Sequence, residues 1–186
     1  MSLDGRTAME SGESQWITGP EARAQVHLLR AQSCAVITGI GSVLRDDPSM
    51  NVRAEELTLA GVPHTTVERT KQPLRVVLDS QLRMPVTAKL LQQHGPVLVV
   101  TCVADPQQHQ SLVDAGAELV VCAADNNGKV DLTAVLEMLG QRQCNQVLVE
   151  AGAGLSGAFL KAGLTHHLVV YMAPKLLGSQ AKALFN

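Results

Sequence analysis

Residues 146–157 read Gln-Val-Leu-Val-Glu-Ala-Gly-Ala-Gly-Leu-Ser-Gly, and this stretch carries the clearest fold signal in the chain. A short apolar run over 146–150 leads directly into a glycine loop, and 155–162 is expected to be a helix that ends at Gly163. The centre of the run is continuously apolar instead of alternating, which is typical of a strand covered on both faces. The stretch therefore predicts one strand–loop–helix unit of an α/β fold.

Five more short apolar runs, rich in valine, repeat this pattern along the chain. They cover 35–38, 74–78, 97–101, 118–122 and 167–171. Strands that alternate with helices predict a largely parallel sheet between two helical layers.

Helix signals lie between these runs. Thr18 is placed to cap a helix whose first turn contains Pro20 and Glu21, and Asp131 is placed to cap a helix over 132–139. A further helix is expected over 107–114. The polar stretch 54–71 is expected to be a long surface loop.

Composition and charge narrow the class of protein. The chain has 186 residues, of which 46% are apolar, so it holds enough material for one domain with one core and is not disordered as a whole. The 15 Lys and Arg residues against 17 Asp and Glu give a net charge of −2, which argues against binding to nucleic acid or an anionic membrane. No apolar run approaches the roughly 20 residues of a membrane span, and the N-terminus lacks a signal-peptide pattern. We therefore expect a cytoplasmic protein with no membrane or nucleic-acid partner.

The four cysteines give no metal or disulfide signal. Cys34, Cys102, Cys122 and Cys144 are far apart in sequence and form no C-x-x-C motif. Because they lie in or near apolar runs, the sequence predicts reduced cysteines that pack as small buried hydrophobic residues. No metal site is expected.

Gly152, Gly154 and Gly157 form a G-x-G-x-x-G pattern between a predicted strand and a predicted helix. One interpretation is a phosphate loop, in which the glycines let the backbone approach a pyrophosphate. The other is a glycine turn that lets the helix pack closely on the strand. No acidic residue follows the next apolar run to bind a ribose hydroxyl, and Lys175 lies there instead, which favours NADP over NAD.

A second glycine pair, Gly39 and Gly41, follows the apolar run 35–38. It is either a tight strand-to-helix turn ended by Asp47 and Pro48 or another loop of the same site, since parallel strands end at one edge of the sheet. Glu150 ends its own run directly before the first glycine loop. This carboxylate either caps the loop or, partly desolvated beside a ligand, steadies a developing cation or handles a proton.

Motifs spread over the whole chain resemble those of one family. In order they are Ser2-Leu-Asp-Gly-Arg-Thr-Ala8, Ser14-Gln-Trp-Ile-Thr18, Leu28-Leu-Arg30, Thr38 to Pro48 followed by Met50 and Arg53, Val77-Leu-Asp-Ser80, Glu150-Ala-Gly152 and Ala173-Pro-Lys-Leu-Leu-Gly178. The chain is similar to the reductase domain of bacterial bifunctional riboflavin-biosynthesis deaminase–reductases, which has a dihydrofolate-reductase-like fold. The resemblance implies one reductase domain over 1–186, with a three-layer α/β fold and a mostly parallel central sheet. It also implies truncation at both ends, because this fold has a strand before the first motif and more strands after the last residue.

The resemblance further implies a reaction and a site. NADPH would reduce the ribosylamino side chain of 5-amino-6-(5-phosphoribosylamino)uracil to a ribitylamino chain, in a homo-oligomer, expected to be a dimer. The substrate positions are Ser14, Arg30, Met50, Arg53 and Glu150. The cofactor positions are Trp16, Ser42, Asp46, Ser80, Gly152, Ala153, Gly154, Leu155, Ser156, Gly157 and Ala158. The two arginines suit a sugar phosphate, because a guanidinium pairs with phosphate oxygens in a bidentate manner. Glu150 is the expected catalytic residue, with Asp4 in reserve.

Two alternatives stay open. One is a related NADPH reductase that acts on another pyrimidine-like or pterin-like substrate, and the other is an inactive nucleotide-binding fragment. The zinc-deaminase signature H-x-E … P-C-x-x-C is missing from this sequence, so we expect no deamination.

Overall fold

Five parallel strands form the central sheet of the computed structural model, which describes residues 1–13 and 17–185. The strands are β1 (Arg6–Ala8), β2 (Ala35–Gly39), β3 (Leu74–Leu78), β4 (Val97–Thr101), β5 (Glu118–Val121), β6 (Val147–Val149) and β7 (Lys182–Ala183). The helices are α1 (Pro20–Gln32), α2 (Ile40–Asp46), α3 (Ala54–Leu59), α4 (His64–Val67), α5 (Lys89–Gln92), α6 (Pro106–Asp114), α7 (Leu132–Gln141) and α8 (Ala153–Lys161). The central sheet has the order β5-β4-β3-β2-β6, and β1 pairs with β7 in a separate antiparallel ribbon.

Helices cover both faces of the central sheet, as the continuous apolar runs predict. Val76 and Leu78 of β3 point to one face, where they join Val135 of α7 and Phe159 of α8 in a buried cluster. Val77 points to the opposite face, where a second buried cluster includes residues of α2, α5 and α6. Successive side chains of a strand point to opposite faces, so one valine-rich strand supplies both clusters. The three-layer arrangement is therefore present.

Five of the six predicted strands exist, and the prediction over 167–171 is wrong. This segment has no strand pairing, and Leu168 and Val169 are more than half exposed. A strand needs a partner for its backbone as well as a suitable sequence, and no strand among the described residues pairs with this run.

The prediction of a long loop over 54–71 is also wrong, because α3 and α4 lie within it. Leu57 is buried and anchors α3, which packs against α1. One apolar residue in a short helix gives too little periodicity to be recognised in sequence.

Helix ends are partly as predicted. The side chain of Asp131 caps α7 by accepting bonds from the backbone N–H groups of Thr133 and Ala134, at 2.8 and 3.2 Å. By contrast, Gly19 precedes α1 and no side chain caps the helix, so the predicted cap by Thr18 is wrong.

The cysteines are less buried than predicted. Cys34 is exposed, and Cys102, Cys122 and Cys144 are partly buried. Burial raises the pKa of these three thiols above the usual value, which keeps them protonated and unreactive.

The first and last motifs of the chain meet at one place. The Asp4 carboxylate accepts hydrogen bonds from the backbone N–H groups of Leu177 and Gly178 and from the Ser2 hydroxyl. These bonds hold the pKa of Asp4 below its usual value, the Ser2 bond being the main cause. Asp4 therefore joins the two ends of the chain, which is a structural role and leaves the reserve catalytic assignment without support.

Candidate active site at the carboxyl edge of the sheet

The two glycine loops lie side by side where β2 and β6 end. They line one cavity of about 390 Å³, which we call the glycine cavity. Its lining residues come from the two loops, from α2 and from β7: Gly39, Gly41, Ser42, Arg45, Gly152, Ala153, Gly154, Leu155, Lys182 and Ala183. Ligand cavities span about 300–1,000 Å³, so this volume suits part of a nucleotide. The structure thus brings together the loops that the sequence suggests belong to one site.

The glycines of these loops serve two purposes. A Cβ atom added at Gly39 would lie 3.3 Å from Leu155 Cδ2, so this glycine lets α8 pack closely against β2. A Cβ atom added at Gly41 or Gly154 would meet nothing within 4 Å. Close packing therefore explains Gly39, whereas Gly41 and Gly154 leave open space that a ligand can use.

Two cations of the glycine cavity, Arg45 and Lys182, were missed in the sequence. Arg45 lies three residues after Ser42 in α2, a spacing that places both on one helix face, so a signal was present. Lys182 reaches the cavity through the pairing of β7 with β1, and no local pattern predicts that contact. Lys175, which the sequence analysis favoured as the cation, is not among the lining residues.

Glu150 forms a two-pronged ion pair with Arg30 from the last turn of α1. Arg30 Nε donates to Glu150 Oε2 at 2.7 Å, and Arg30 Nη2 donates to Oε1 at 2.5 Å. The Arg30 side chain is only 12% exposed, while that of Glu150 is 34% exposed. A carboxylate has about four acceptor positions, so two remain for a ligand. Arg30 thus orients Glu150, and this pairing changes the expectation that Arg30 mainly binds phosphate.

A short segment after α2 is fixed to the rest of the molecule at three consecutive residues. Arg30 Nη1 donates to the carbonyl oxygen of Asn51 at 2.9 Å. The backbone N–H of Val52 donates to Gln72 Oε1 at 2.7 Å, and Gln72 Nε2 donates to the Val52 carbonyl oxygen at 2.9 Å. The backbone N–H of Arg53 donates to His27 Nδ1 at 3.1 Å. We call residues 50–53 the substrate segment because it carries the predicted substrate residues Met50 and Arg53.

The two predicted residues of this segment differ in environment. Met50 is 3% exposed and has a positive φ of 51°, so the turn holds its side chain inside. The Arg53 side chain is exposed. Only Arg53 is therefore accessible to a charged ligand in this conformation.

The other predicted site residues do not line the glycine cavity. Asp46 and Ala158 are exposed, and Gly157 is buried. Ser80 Oγ accepts a hydrogen bond from the backbone N–H of Val130 at 3.0 Å, and Ser156 Oγ donates to the Ala151 carbonyl. Ser14 and Trp16 lie outside the described residues, so their assignments stay predictions.

A larger cleft of about 970 Å³ lies between β6 and the segment 164–171. We call it the edge cleft, because β6 ends the central sheet and bonds only to β2 within the described part of the chain. Glu150 and Ser156 contribute to its lining at the same edge that bears the glycine cavity. Glu150 therefore lies where the edge cleft meets the carboxyl edge of the sheet.

Comparisons with known proteins identify the family of this chain. The sequence matches the family described as the RibD C-terminal domain over residues 1–186. This chain belongs to the RibD C-terminal domain family. The riboflavin biosynthesis protein RibD of Escherichia coli strain K12 is 44% identical over 183 residues, which make up 98% of this chain and 48% of that protein. The 5-amino-6-(5-phosphoribosylamino)uracil reductase of Buchnera aphidicola subsp. Acyrthosiphon pisum is 33% identical, and the match covers 95% of this chain and 83% of that protein.

Solved structures lead to the same family. Acinetobacter baumannii RibD, form 1, superposes with a TM-score of 0.82 at 44% identity, covering 100% of this chain and 47% of that one. The chain thus spans about half the length of the RibD proteins it matches. The predicted family resemblance and the predicted three-layer, dihydrofolate-reductase-like fold class are confirmed.

Membrane-spanning helices and metal clusters are both absent from residues 1–13 and 17–185. No helix among them is long and apolar enough to cross a membrane. In the same part of this RibD domain, no three or more His, Cys, Asp or Glu side chains are grouped so that they could hold a metal ion.

Proposed function

We propose that this chain is a 5-amino-6-(5-phosphoribosylamino)uracil reductase of riboflavin biosynthesis that uses NADPH. The observation that carries the proposal is the juxtaposition of the glycine cavity with the Arg30–Glu150 pair at one edge of the sheet. It is supported by membership of the RibD C-terminal domain family and by a relative named as this reductase. The proposal includes residues 1–186 acting as one reductase domain and working in the cytoplasm.

The glycine cavity fits the phosphate-bearing part of NADPH. The open space at Gly41 and Gly154 allows a pyrophosphate to approach the backbone, and Arg45 and Lys182 supply positive charge beside it. Among the described residues, no carboxylate lines the cavity, so nothing in that lining repels a 2′-phosphate. We therefore expect NADPH to bind more tightly than NADH.

The substrate lies between Glu150 and Arg53 in this proposal. Arg53 binds the sugar phosphate through charge-assisted hydrogen bonds. Glu150 accepts hydrogen bonds from the substrate at the acceptor positions that Arg30 leaves free, and its negative charge stabilises positive charge that develops at the anomeric carbon. When bound, NADPH would supply the hydride that forms a new C–H bond at this carbon, while the bond between the carbon and the ring oxygen breaks and that oxygen takes up a proton from water.

A cofactor-binding experiment tests the glycine cavity. Gly154→Ala places a methyl group in the open space of the cavity, so we expect NADPH to bind about tenfold more weakly or worse. The folded chain should be slightly more stable, because alanine favours a helix over glycine by about 0.5–1 kcal/mol. Fluorescence titration with NADPH and NADH and thermal melting measure the two effects.

Gly140→Ala is the matched control, because a Cβ atom at this position of α7 also meets nothing within 4 Å. It should stabilise the chain and leave NADPH affinity unchanged. Equal NADPH affinity of the native chain and Gly154→Ala would contradict the cofactor site. Turnover of NADPH with 5-amino-6-(5-phosphoribosylamino)uracil tests the activity itself; tight NADPH binding without turnover would instead indicate another substrate or an inactive fragment.

We also propose that two copies of this chain associate. The segment beside the edge cleft exposes several large apolar side chains, namely Leu168, Val169, Val170, Met172 and Leu176. Exposed apolar side chains in this number commonly mark a contact with another protein chain. A dimer would cover it.

A further inference from the structure

We propose that His27 is a positioning residue: its neutral imidazole holds Arg53 in place for the substrate phosphate, and protonation of that imidazole releases the substrate segment. This inference rests on the proposed function, in which Arg53 binds the sugar phosphate. It assigns a role to a buried histidine in α1 that no sequence motif singled out.

The geometry of the contact requires an unprotonated nitrogen. His27 is 7% exposed, and its Nδ1 accepts the backbone N–H of Arg53 at 3.1 Å. A nitrogen that accepts a hydrogen bond carries no proton, so the proton of the neutral ring is on Nε2. Protonation at Nδ1 would place two N–H groups against each other and remove the bond.

The hydrogen bond acts at a sensitive point of the chain. Arg53 immediately precedes α3, and its carbonyl oxygen accepts the N–H of Leu57 in the first turn of that helix. The bonds to Asn51 and Val52 fix the two residues before it. His27 is therefore the last of three consecutive anchors, and its loss frees the residue that carries the phosphate-binding side chain.

Charges around His27 come from three elements. Arg30 on α1 and Arg53 before α3 disfavour its charged form, while Glu56 on α3 and Glu150 after β6 favour it. Burial is the largest of all these causes, and it lowers the pKa of His27 below its ordinary value of 6.5. The imidazole is thus neutral at pH 7 and above, and it becomes charged as the pH falls through this lowered pKa.

The functional consequence is specific. Arg53 contacts the phosphate and not the reacting carbon, so release of the substrate segment should raise the KM and leave kcat unchanged. The free energy of unfolding should also decrease on acidification. Between the lowered pKa and pH 6.5 the unfolded chain binds a proton at His27 that the folded chain does not, so the free energy of unfolding falls as the pH decreases.

Two substitutions separate the hydrogen bond from the titration. In His27→Asn, the side-chain oxygen takes the place of Nδ1 and accepts the same N–H without titrating. His27→Leu keeps the bulk and removes the acceptor at every pH. His64→Asn is the control. His64 is exposed on α4, and its ion-pair partner Glu68 is an exposed residue four positions further along the chain.

The experiment is steady-state kinetics with 5-amino-6-(5-phosphoribosylamino)uracil between pH 8 and pH 5. The substrate phosphate also titrates, near pH 6, so the KM of each variant is compared with that of the native chain at each pH. We expect the KM of the native chain and of His64→Asn to rise about 5- to 10-fold more than that of His27→Asn on acidification, the size of one lost hydrogen bond. His27→Leu should have the raised KM at every pH.

The same KM profile for the native chain and His27→Asn would overturn the proposal, as would a change confined to kcat. Nuclear magnetic resonance of the native chain provides a second measurement, in which the Arg53 amide resonance should shift with the titration of the His27 ring. An Arg53 resonance that ignores this titration also overturns the proposal. If the native chain shows no turnover, the proposed function fails while the resonance measurement still decides the coupling of His27 to Arg53.

Discussion

Glu150 and Arg30 show how single residues link the two halves of the site. The pair joins the end of β6 to the last turn of α1, and a further bond from Arg30 continues to the Asn51 carbonyl. The sequence places Glu150 correctly at the end of an apolar strand, but it cannot reveal its partner, since 120 residues separate the two. The carboxylate is consequently a fixed charge with defined orientation, which is the property that electrostatic catalysis requires.

Glu150→Gln tests this role. The amide keeps the shape but loses the negative charge, and its NH2 group opposes the Arg30 donors. We expect turnover to fall about 100-fold or more, the usual scale for one positioned electrostatic group, while NADPH affinity changes little. Single-turnover kinetics and NADPH titration provide the two readouts. Glu137→Gln, on the exposed side of α7, is the control that should keep native turnover. Native turnover in Glu150→Gln would mean that the Arg30–Glu150 pair has only a structural role; Glu150 does not cap the glycine loop, because no side chain caps α8.

At the scale of elements, Arg75 is a buried charged side chain of β3 that connects several segments of the chain. It belongs to β3 and is completely buried, and burial lowers the pKa of its guanidinium. Its hydrogen-bond partners are backbone carbonyl oxygens, which belong to Ser49, Leu90, Gln93, His94 and Gly95. One side chain therefore fixes the connection between α5 and β4 and also reaches the chain just before the substrate segment.

Arg75→Lys should destabilise the chain by about 2 kcal/mol or more. A lysine ammonium has three donors, so it leaves carbonyl groups unpaired that the guanidinium satisfies, at about 1–3 kcal/mol for each buried group. Chemical denaturation measures the change. Arg69→Lys, at an exposed position, should stay within about 0.5 kcal/mol of the native chain. Equal stabilities of the two variants would show that water replaces the missing bonds around residue 75.

The elements differ in how far sequence predicts them. Strands β2, β3 and β4 have continuous apolar runs because each is covered on both faces, and this property is local to the run. The edge strands β5 and β6 have similar runs but are only partly buried. Pairing is not local, so 167–171 has a strand-like sequence without a strand. The glycine loops could be predicted to share one site, because each follows a strand of the parallel sheet. The position of Lys182 could not be predicted, because it depends on the pairing of β7 with β1. No sequence pattern marks His27, because its contact is with one backbone N–H from another part of the chain.

At the scale of the whole molecule, β6 forms one edge of the central sheet, and among the described residues no strand pairs with its outer side. The edge cleft lies beside β6, and apolar residues of the segment after α8 are exposed along it. Exposed sheet edges and apolar surfaces favour association between chains. The association proposed above therefore has a defined location on the molecule.

Val169→Lys should weaken this association. Val169 is 54% exposed, so the substitution adds a charge to the apolar surface without disturbing the core. Sedimentation velocity over a range of concentrations should show dimers of the native chain and mainly monomers of the variant. Val113→Lys changes a similarly exposed valine on α6 and should leave the dimer intact. A Val169→Lys variant that still dimerises would show that the contact lies elsewhere. A native chain that stays monomeric would contradict the proposed dimer.

The bonds from Asp4 to Leu177 and Gly178 span 173 and 174 residues, and this separation has a consequence in time. A ribosome makes Asp4 long before it makes these two partners. The sheet from β2 to β6 has all its strands long before the N-terminal residues can dock. Closing so long a loop also costs more conformational entropy than closing the short connections between neighbouring strands. Asp4 thus precedes the central sheet in synthesis but follows it in reaching its final place.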